Sequence, residues 1–377
     1  MMQPTFSAQD EYFMQIALDL AKKGIFTTTP NPAVGCVLVK NGEIVGRGFH
    51  FKAGQPHAEV MALRDAGDRA KGATAYVTLE PCSHFGRTPP CAQGLIEAGI
   101  RNVIVAMKDP NPQVAGKGLA MLQAAGIESA VGLLQEKAEL LNKGFLTRMR
   151  TQKPFVILKM AISLDGRTAM ANGESKWISG EQARQDVQQE RAKVSAILST
   201  AKTVLADDPL LNLRWEQFPS ELQQNYKVED VRQPVRIILD RQHLVTPRHK
   251  LFQCQSPVWL VGDKERDMSA FPDYCQYIKL FPSNEHSYLE NLLIELAKRQ
   301  INSLWLEAGE TLAGAFIEEN LVNELIIYMA PKLLGNKARG FCHLPHLKRL
   351  ADAPKWQLLS LAQIGEDIKL NYQRHIL

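Results

Sequence analysis

The chain reads as two α/β domains in series, and three observations predict this. Its 377 residues exceed what one hydrophobic core usually supports. Helical and strand periodicities alternate along nearly the whole length. The alternation lapses in a polar, basic stretch between Asn142 and Pro154 that carries Lys143, Arg148, Arg150 and Lys153. The boundary is placed there, giving domains 1–150 and 151–377.

In the first domain, Ser7-x-x-Asp10 has the form of a capping box, and Phe13, Ile16, Ala17 and Leu20 mark one helical face. The apolar runs 36–39 and 44–45, joined through Asn41-Gly42, predict a hairpin with a type I′ turn. A helix over about 57–70, a strand over 75–79, a helix from about 90 that stops at Gly99, a strand over 103–106 and a helix ending at Gly126 follow. That order predicts helices on both faces of one sheet. The second domain opens with an apolar strand over 155–161 and a helix over about 180–193. Strands over 196–198, 235–239 and 258–261 precede a helix over about 288–299. A strand over 304–306 leads into a helix over 311–319, with further strands over 325–329 and near the C-terminus. The polar stretch 216–232 reads as a surface insertion.

Composition excludes several function classes. With 45% apolar and 22% charged residues the chain is an ordinary globular one. Its formal charge of +4 is spread without a run of like charges, so no nucleic-acid partner is expected. There is no basic segment followed by an apolar core at the start, and no apolar run near the roughly 18 residues of a membrane span. A cytoplasmic protein without membrane attachment is expected. The cysteines, Cys36, Cys82, Cys91, Cys254, Cys275 and Cys342, are too sparse for a disulfide framework, which leaves metal binding or burial.

Metal chemistry is the sharper reading for two of them. His57-Ala58-Glu59 is followed by Glu80-Pro81-Cys82 and then Cys91. One imidazole and two thiolates supply three ligands to a tetrahedral Zn²⁺, one ion per chain, and leave a fourth position for water, as in a catalytic site. Glu59, two residues from the histidine, is placed to take a proton from that water and deliver it to a ring nitrogen and a leaving ammonia. Both cysteines flank the start of a predicted helix, where free N–H groups favour thiolates. Cys36, on a strand, reads as core rather than ligand.

Nucleotide deaminases usually space these cysteines as Pro-Cys-x-x-Cys, whereas eight residues separate them here. The run Thr78-Leu79-Glu80-Pro81-Cys82-Ser83-His84-Phe85-Gly86-Arg87-Thr88-Pro89-Pro90-Cys91 closely resembles the deaminase of the bifunctional diaminohydroxyphosphoribosylaminopyrimidine deaminase/reductase family of riboflavin biosynthesis. So do Thr29-Pro30-Asn31-Pro32-x-Val34-Gly35-Cys36-Val37 and Asp109-Pro110-Asn111-Pro112. The resemblance implies a cytidine-deaminase-like three-layer α/β/α domain. It also implies that Asn31 binds the pyrimidine and that the loop from His84 to Arg87 contacts substrate, with Arg87 either taking its phosphate or simply solvated.

Four segments of the second domain resemble the same family's reductase: Lys159-Met160-Ala161-x-Ser163-Leu164-Asp165-Gly166-Arg167, Ser175-x-Trp177-Ile178-Ser179, Thr203-Val204-Leu205-Ala206-Asp207-Asp208-Pro209 and Glu307-Ala308-Gly309-x-Thr311-Leu312-x-Gly314. They imply a dihydrofolate-reductase-like fold. NADPH would then contact Ala161, Trp177, Thr203, Asp207 and the turn Gly309, Glu310, Thr311, Leu312, Ala313, Gly314 and Ala315. Substrate would lie against Ser175, Arg191, Leu211, Arg214 and Glu307, with the two arginines suited to phosphate. The residues themselves say less: a strand running through Glu307 into a glycine-bearing helix start offers N–H groups to a phosphate, but a tight turn needs that glycine equally for backbone reasons.

Together these imply deamination of 2,5-diamino-6-(5-phosphoribosylamino)pyrimidin-4(3H)-one to the uracil, followed by reduction of its ribosyl group to ribityl with NADPH. Lys159 and Glu307 are the candidates to assist ring opening and protonation. A homo-oligomer, dimer or tetramer, is the expected assembly. Two competing readings make different demands. A nucleic-acid deaminase of the tRNA-editing type, with an unrelated C-terminal domain, calls for a basic, aromatic-lined face and the short cysteine spacing, and neither is found. A zinc-stabilised, non-catalytic nucleotide-binding module calls for four protein ligands without a free acid, and Glu59 argues against it.

Overall fold

A computed structural model describes residues 5–83, 89–111 and 115–374, and the chain divides into two compact units between Gln152 and Lys153. Among the described residues no helix is long and apolar enough to cross a membrane.

The first unit begins with α1 (Ala8–Lys22), whose capping box forms as the sequence requires: Asp10 N–H donates to Ser7 Oγ, and the Asp10 carboxylate accepts from Ser7 N–H. β1 (Gly35–Lys40) and β2 (Glu43–Phe49) make the hairpin. Asn41 and Gly42 at its tip have φ of 52° and 81°, the two left-handed positions a type I′ turn demands. Next come α2 (Ala58–Ala66), β3 (Thr74–Val77), α3 (Cys91–Glu97), β4 (Asn102–Val105), α4 (Lys117–Ala124), β5 (Glu128–Val131), α5 (Gln135–Leu141) and α6 (Lys143–Thr151).

Sheet order is β2-β1-β3-β4-β5, with β3, β4 and β5 parallel. Alternation along the strands splits the core. Cys36, Leu38, Val77 and Val105 meet α2, α3 and α4 on one face, while Val37, Val39 and Tyr76 meet α1 and α6 on the other. Gly48 sets the closeness of α2, since a Cβ there would lie 2.2 Å from the Ala58 carbonyl oxygen.

One expectation fails in this unit. The basic stretch after Asn142 is not a lapse but helix α6, anchored by Phe145 and Leu146, which are buried among its cations. Two apolar residues on one face suffice when the sheet supplies the other side. The helix ends at Gln152, in the left-handed conformation.

In the second unit, β6 (Phe155–Ser163), β7 (Arg167–Ala169), α7 (Glu181–Lys193), β8 (Ala196–Thr200), α8 (Ala201–Asp207) and α9 (Ser220–Asn225) come first. β9 (Val235–Leu239), β10 (Val258–Gly262), β11 (Cys275–Lys279), α10 (Tyr288–Lys298), β12 (Ser303–Leu306) and α11 (Glu310–Glu318) follow. The unit closes with β13 (Glu324–Ala330), β14 (Arg339–Gly340), β15 (Trp356–Ile364) and β16 (Asp367–Arg374). Nine strands form one sheet in the order β11-β10-β9-β8-β12-β6-β13-β16-β15; β7 and β14 pair separately. The seven strands from β11 to β13 are parallel and covered on both faces, which is why 155–162 and 303–306 read as nearly continuous apolar runs.

The stretch 216–232 lies mostly at the surface. It holds α9, buries Phe218 and Tyr226, and ends at Arg232, which donates to the Val194, Ser195 and Gln233 carbonyls. The bonds to Val194 and Ser195 tie it to the residues just before β8.

Candidate functional site

In the first unit His57, Cys82 and Cys91 converge from three elements, with all ligand atoms within 4.8 Å of one another. His57 is the N-cap of α2, Cys82 follows β3, and Cys91 is the first residue of α3. His57 Nδ1 lies 3.2 Å from Cys91 Sγ and 3.7 Å from Cys82 Sγ. Ligands of one tetrahedral zinc, at about 2.0–2.1 Å for nitrogen and about 2.3 Å for sulfur, stand about 3.6 Å apart, so the donor set and its spacing fit that ion. Cys91 N–H donates to Cys82 Sγ at 3.3 Å, and Ala92 N–H to the Cys82 carbonyl at 3.2 Å. Hydrogen bonds from Cys91 and His57 hold the Cys82 thiol down at about 4, against the pull of burial.

Glu59, in the first turn of α2, is buried beside this cluster. Burial and the nearby Cys82 push its carboxyl up to about 7. Asn31 reaches the same region. Its side-chain amide lies 3.1 Å from His50 Nε2, while His50 Nδ1 faces the Pro56 carbonyl at 3.1 Å. That carbonyl can only accept, so Nδ1 carries the proton, Nε2 accepts from the Asn31 amide, and the Asn31 carbonyl oxygen is left for another partner. Asn142 ties the loop down by exchanging two hydrogen bonds with Ala33, at 2.8 and 2.9 Å. His84 and Arg87 lie outside the described residues. Cys36 is fully buried in the sheet core, apart from the triad.

A feature the motif reading missed supports the triad from behind. Glu80, buried just before Pro81-Cys82, accepts four backbone N–H groups: Asp109 and Gly116 on one oxygen at 3.2 and 3.0 Å, Gly118 and Leu119 on the other at 3.0 and 3.3 Å. It caps α4 and fastens it to the cysteine segment. Gly118 must be glycine, because a Cβ would sit 1.9 Å from the Pro81 carbonyl oxygen. A Glu-Pro-Cys motif advertises its cysteine; nothing local in sequence announces where the glutamate's partners lie.

The second unit holds a cavity of about 1210 Å³ at the C-terminal ends of β8, β9, β10 and β12 and beside β6. Lys159, Ala161, Ser175, Arg191, Thr203, Asp207, Leu211 and Glu307 line it, as do Gly309, Glu310, Thr311, Leu312 and Ala315. Ala313 and Gly314 do not; both are buried in α11, Gly314 against the His343 backbone. Trp177 stands 62% exposed under the Arg184 guanidinium, 4.5 Å from its ring centre, and Arg214 is also exposed and off the lining. A Cβ at Gly309 would meet open space, so this glycine leaves room at the N-terminus of α11. Asp240, Arg241 and Lys264 line the far end and belonged to no recognised motif. Their signal is topological, because clefts of parallel sheets open where strands end.

Charge in the cavity is paired. Arg191 Nε and Nη2 donate to the two oxygens of Glu307 at 2.7 and 2.8 Å, and the Trp305 indole donates to one of them at 2.5 Å. Burial would raise the Glu307 carboxyl, but Arg191, Lys159 and these hydrogen bonds override it and hold it at about 2. Burial in turn lowers the Lys159 ammonium, partly offset by Glu307. In this arrangement the fork of Arg191 is engaged with Glu307.

Two families match along the chain. The cytidine and deoxycytidylate deaminase zinc-binding region covers residues 7–107, and the RibD C-terminal domain covers residues 154–370. The riboflavin biosynthesis protein RibD of Haemophilus influenzae is 67% identical over 97% of this chain and 98% of its own. The chain belongs to the RibD family. The RibD of Escherichia coli is 54% identical over 96% of this chain and 99% of its own. Among solved structures, Acinetobacter baumannii RibD superposes with a TM-score of 0.90 at 46% identity, covering 98% of this chain and 99% of that one. The Thermotoga maritima diaminohydroxyphosphoribosylaminopyrimidine deaminase/5-amino-6-(5-phosphoribosylamino)uracil reductase gives 0.84 at 33% identity, covering 97% and 99%. As a RibD, the chain is a bifunctional deaminase and reductase of riboflavin biosynthesis, with a zinc-binding deaminase domain ahead of its reductase domain.

Replacing Glu80 by Gln puts an amide donor against two backbone N–H groups. It is expected to lower unfolding free energy by roughly 3 kcal/mol and to weaken zinc retention together with it. Chemical denaturation and metal content of the purified variant check this; unchanged values for both would remove Glu80 from the scaffold.

Proposed function

We propose that His57, Cys82, Cys91 and Glu59 form the deaminase centre and that the cavity between Lys159 and Glu307 is the reductase centre. They would act in turn on 2,5-diamino-6-(5-phosphoribosylamino)pyrimidin-4(3H)-one and on 5-amino-6-(5-phosphoribosylamino)uracil. The observation that carries the reading is a set of three converging donors with a buried carboxylate alongside. His57, Cys82 and Cys91 would hold a zinc ion, which when bound would supply an acidified water, its pKa brought from about 15.7 to about 7. Glu59 would carry that water's first proton to the ring nitrogen. It would then carry the proton of the hydroxyl added at the ring carbon to the amino group, so that ammonia leaves and the carbon becomes a carbonyl. The carbonyl oxygen of Asn31, freed by the His50 contact, accepts from a pyrimidine N–H.

In the second centre NADPH, when bound, supplies a hydride. Before it can be used, the ribosylamine ring must open to an imine. Lys159, half-buried and with a lowered pKa, gives its proton to the departing ring oxygen. Glu307 is too acidic to donate. It remains a carboxylate, fixed by Arg191 and Trp305, that accepts from sugar hydroxyls and favours the cationic imine. Hydride reaching C1′ of that cationic imine would complete the ribityl amine, whose nitrogen already carries its hydrogen. Among the described residues Arg214 makes no side-chain hydrogen bond and remains the cation for the substrate phosphate. Thr203, Asp207 and the start of α11 would hold the cofactor.

The assembly would be a homo-oligomer. β15 is the outermost strand of the described sheet, has neither charge nor proline over nine residues, and exposes Leu358 and Leu361. Edge strands of monomers are normally blunted by such residues.

Three outcomes are expected. Glu59→Gln retains zinc while deamination falls by about 10²- to 10⁴-fold, leaving reduction intact; unchanged turnover takes Glu59 out of the mechanism. Lys159→Met lowers reductase kcat by about 10²-fold or more at saturating NADPH without loss of cofactor binding, followed by fluorescence titration. Sedimentation velocity on the full chain detects a dimer or tetramer that dissociates on Leu361→Lys, and a monomeric parent protein would end the assembly proposal.

A further inference from the structure

One face of the second sheet carries a row of polar side chains beneath α7 that starts at Lys159 in the cavity lining and continues outside the cavity. Register creates it. Tyr328 of β13 sits directly across from Ala161 of β6 on one side and from Lys369 of β16 on the other. Lys159, two residues before Ala161, projects to the same face. Tyr328 is fully buried and Lys369 nearly so. The Tyr328 hydroxyl donates to Asp186 Oδ2 at 2.5 Å. Lys369 Nζ donates to the same oxygen at 2.6 Å and to Glu190 Oε1 at 2.8 Å, and Lys193 reaches Glu190 at 3.0 Å. Asp186 and Glu190, one turn apart on α7, are therefore each paired through one oxygen with Lys369 of the C-terminal strand, and Glu190 with Lys193 as well.

Lys159 stands differently. Among the described residues its ammonium makes no side-chain hydrogen bond or ion pair, and the contact it does make is with the Tyr328 ring, 6.0 Å from the centroid. Lys369 lies 5.6 Å from the same centroid. The nearest carboxylate on the cavity side, Glu307, is occupied by Arg191 and Trp305. An ammonium in partly desolvated surroundings draws towards any carboxylate left unmatched, because burying either charge alone is costly.

We propose that Tyr328 is a positioning residue for Lys159: its ring, held at the hydroxyl by Asp186, which Lys369 in turn pairs, walls the Lys159 ammonium off from the α7 carboxylates and turns it to the cavity. This rests on the reading of Lys159 as proton donor. Removing the wall, or the cation that satisfies Asp186 and Glu190, lets Lys159 fall back into an ion pair with α7, where its proton is held and aimed away from substrate. Tyr328, Asp186 and Lys369 are absent from the cavity lining, so any effect they have on reduction is relayed.

The test uses the full-length zinc enzyme, with NADPH oxidation on the uracil intermediate as one assay and deamination in the same chain as the folding control. Tyr328→Leu and Lys369→Gln are expected to lower reductase kcat by about 10- to 100-fold. KM for NADPH and for the intermediate should stay within about twofold and deamination should be unchanged. Tyr328→Phe, which keeps the ring, should restore most of the turnover. The rate at which acetic anhydride labels Lys159, followed by mass spectrometry, should fall in Lys369→Gln as the amine becomes paired. If Lys159→Met is slow while Tyr328→Leu and Lys369→Gln keep full kcat, or raise KM alone, the clamp is wrong and the role of Lys159 stands. If Lys159→Met is unimpaired, the reading beneath the proposal fails instead. Should Tyr328→Leu lose deamination as well, Lys369→Gln and its labelling rate decide the matter.

Discussion

A carboxylate taken out of water must be matched by protein groups or give up its charge, and that constraint organises both halves of this chain. Three glutamates meet it in three ways. Glu80 is matched by four backbone N–H groups and so becomes a structural joint. Glu307 is matched by a bidentate arginine, an indole and a nearby ammonium, and stays ionised at about 2. Glu59 is the least matched, and its carboxyl rises to about 7. The same side chain is thus scaffold, fixed charge or proton carrier according to what surrounds it. The chemistry assigned to each centre is a consequence of that difference rather than of residue type.

How much of this was legible in the sequence follows from how far apart the partners lie. His57, Glu59, Cys82 and Cys91 could be read because each stands at a strand end or helix start whose local pattern is clear, and because no other residue types do their work. The hairpin turn at Asn41-Gly42 was legible for the same local reason. The matching of Glu307 by Arg191 was not, since it spans 116 positions and depends on α7 packing over β12. Nor was the row of Lys159, Tyr328 and Lys369, which exists because β6, β13 and β16 are neighbours in one register. Helix α6 was missed because its apolar face is small and its cations dominate any window average.

The second cavity shows the complementary case. The predicted residues that line it sit mainly on β6, on α7 and α8, and just after β12, but its far end is made by Asp240, Arg241 and Lys264, which follow β9 and β10. Nothing marks those loops individually. What marks them is position: each ends a parallel strand on the same edge of the sheet, so sheet order alone brings them to the cleft.

The eight residues between Cys82 and Cys91 are the chain's departure from the usual deaminase spacing, and the bonding around the triad explains why the metal set tolerates it. The separation of the two sulfurs is fixed by Cys91 N–H on Cys82 Sγ and Ala92 N–H on the Cys82 carbonyl, so the start of α3 folds directly onto the end of the β3 segment. Glu80 holds that segment from the other side through α4. None of these bonds passes through the residues in between. A short Cys-x-x-Cys turn brings its sulfurs together by covalent proximity; here hydrogen bonding between the start of α3 and the Cys82 segment holds them, which is how ligands with eight residues between them still meet at one ion.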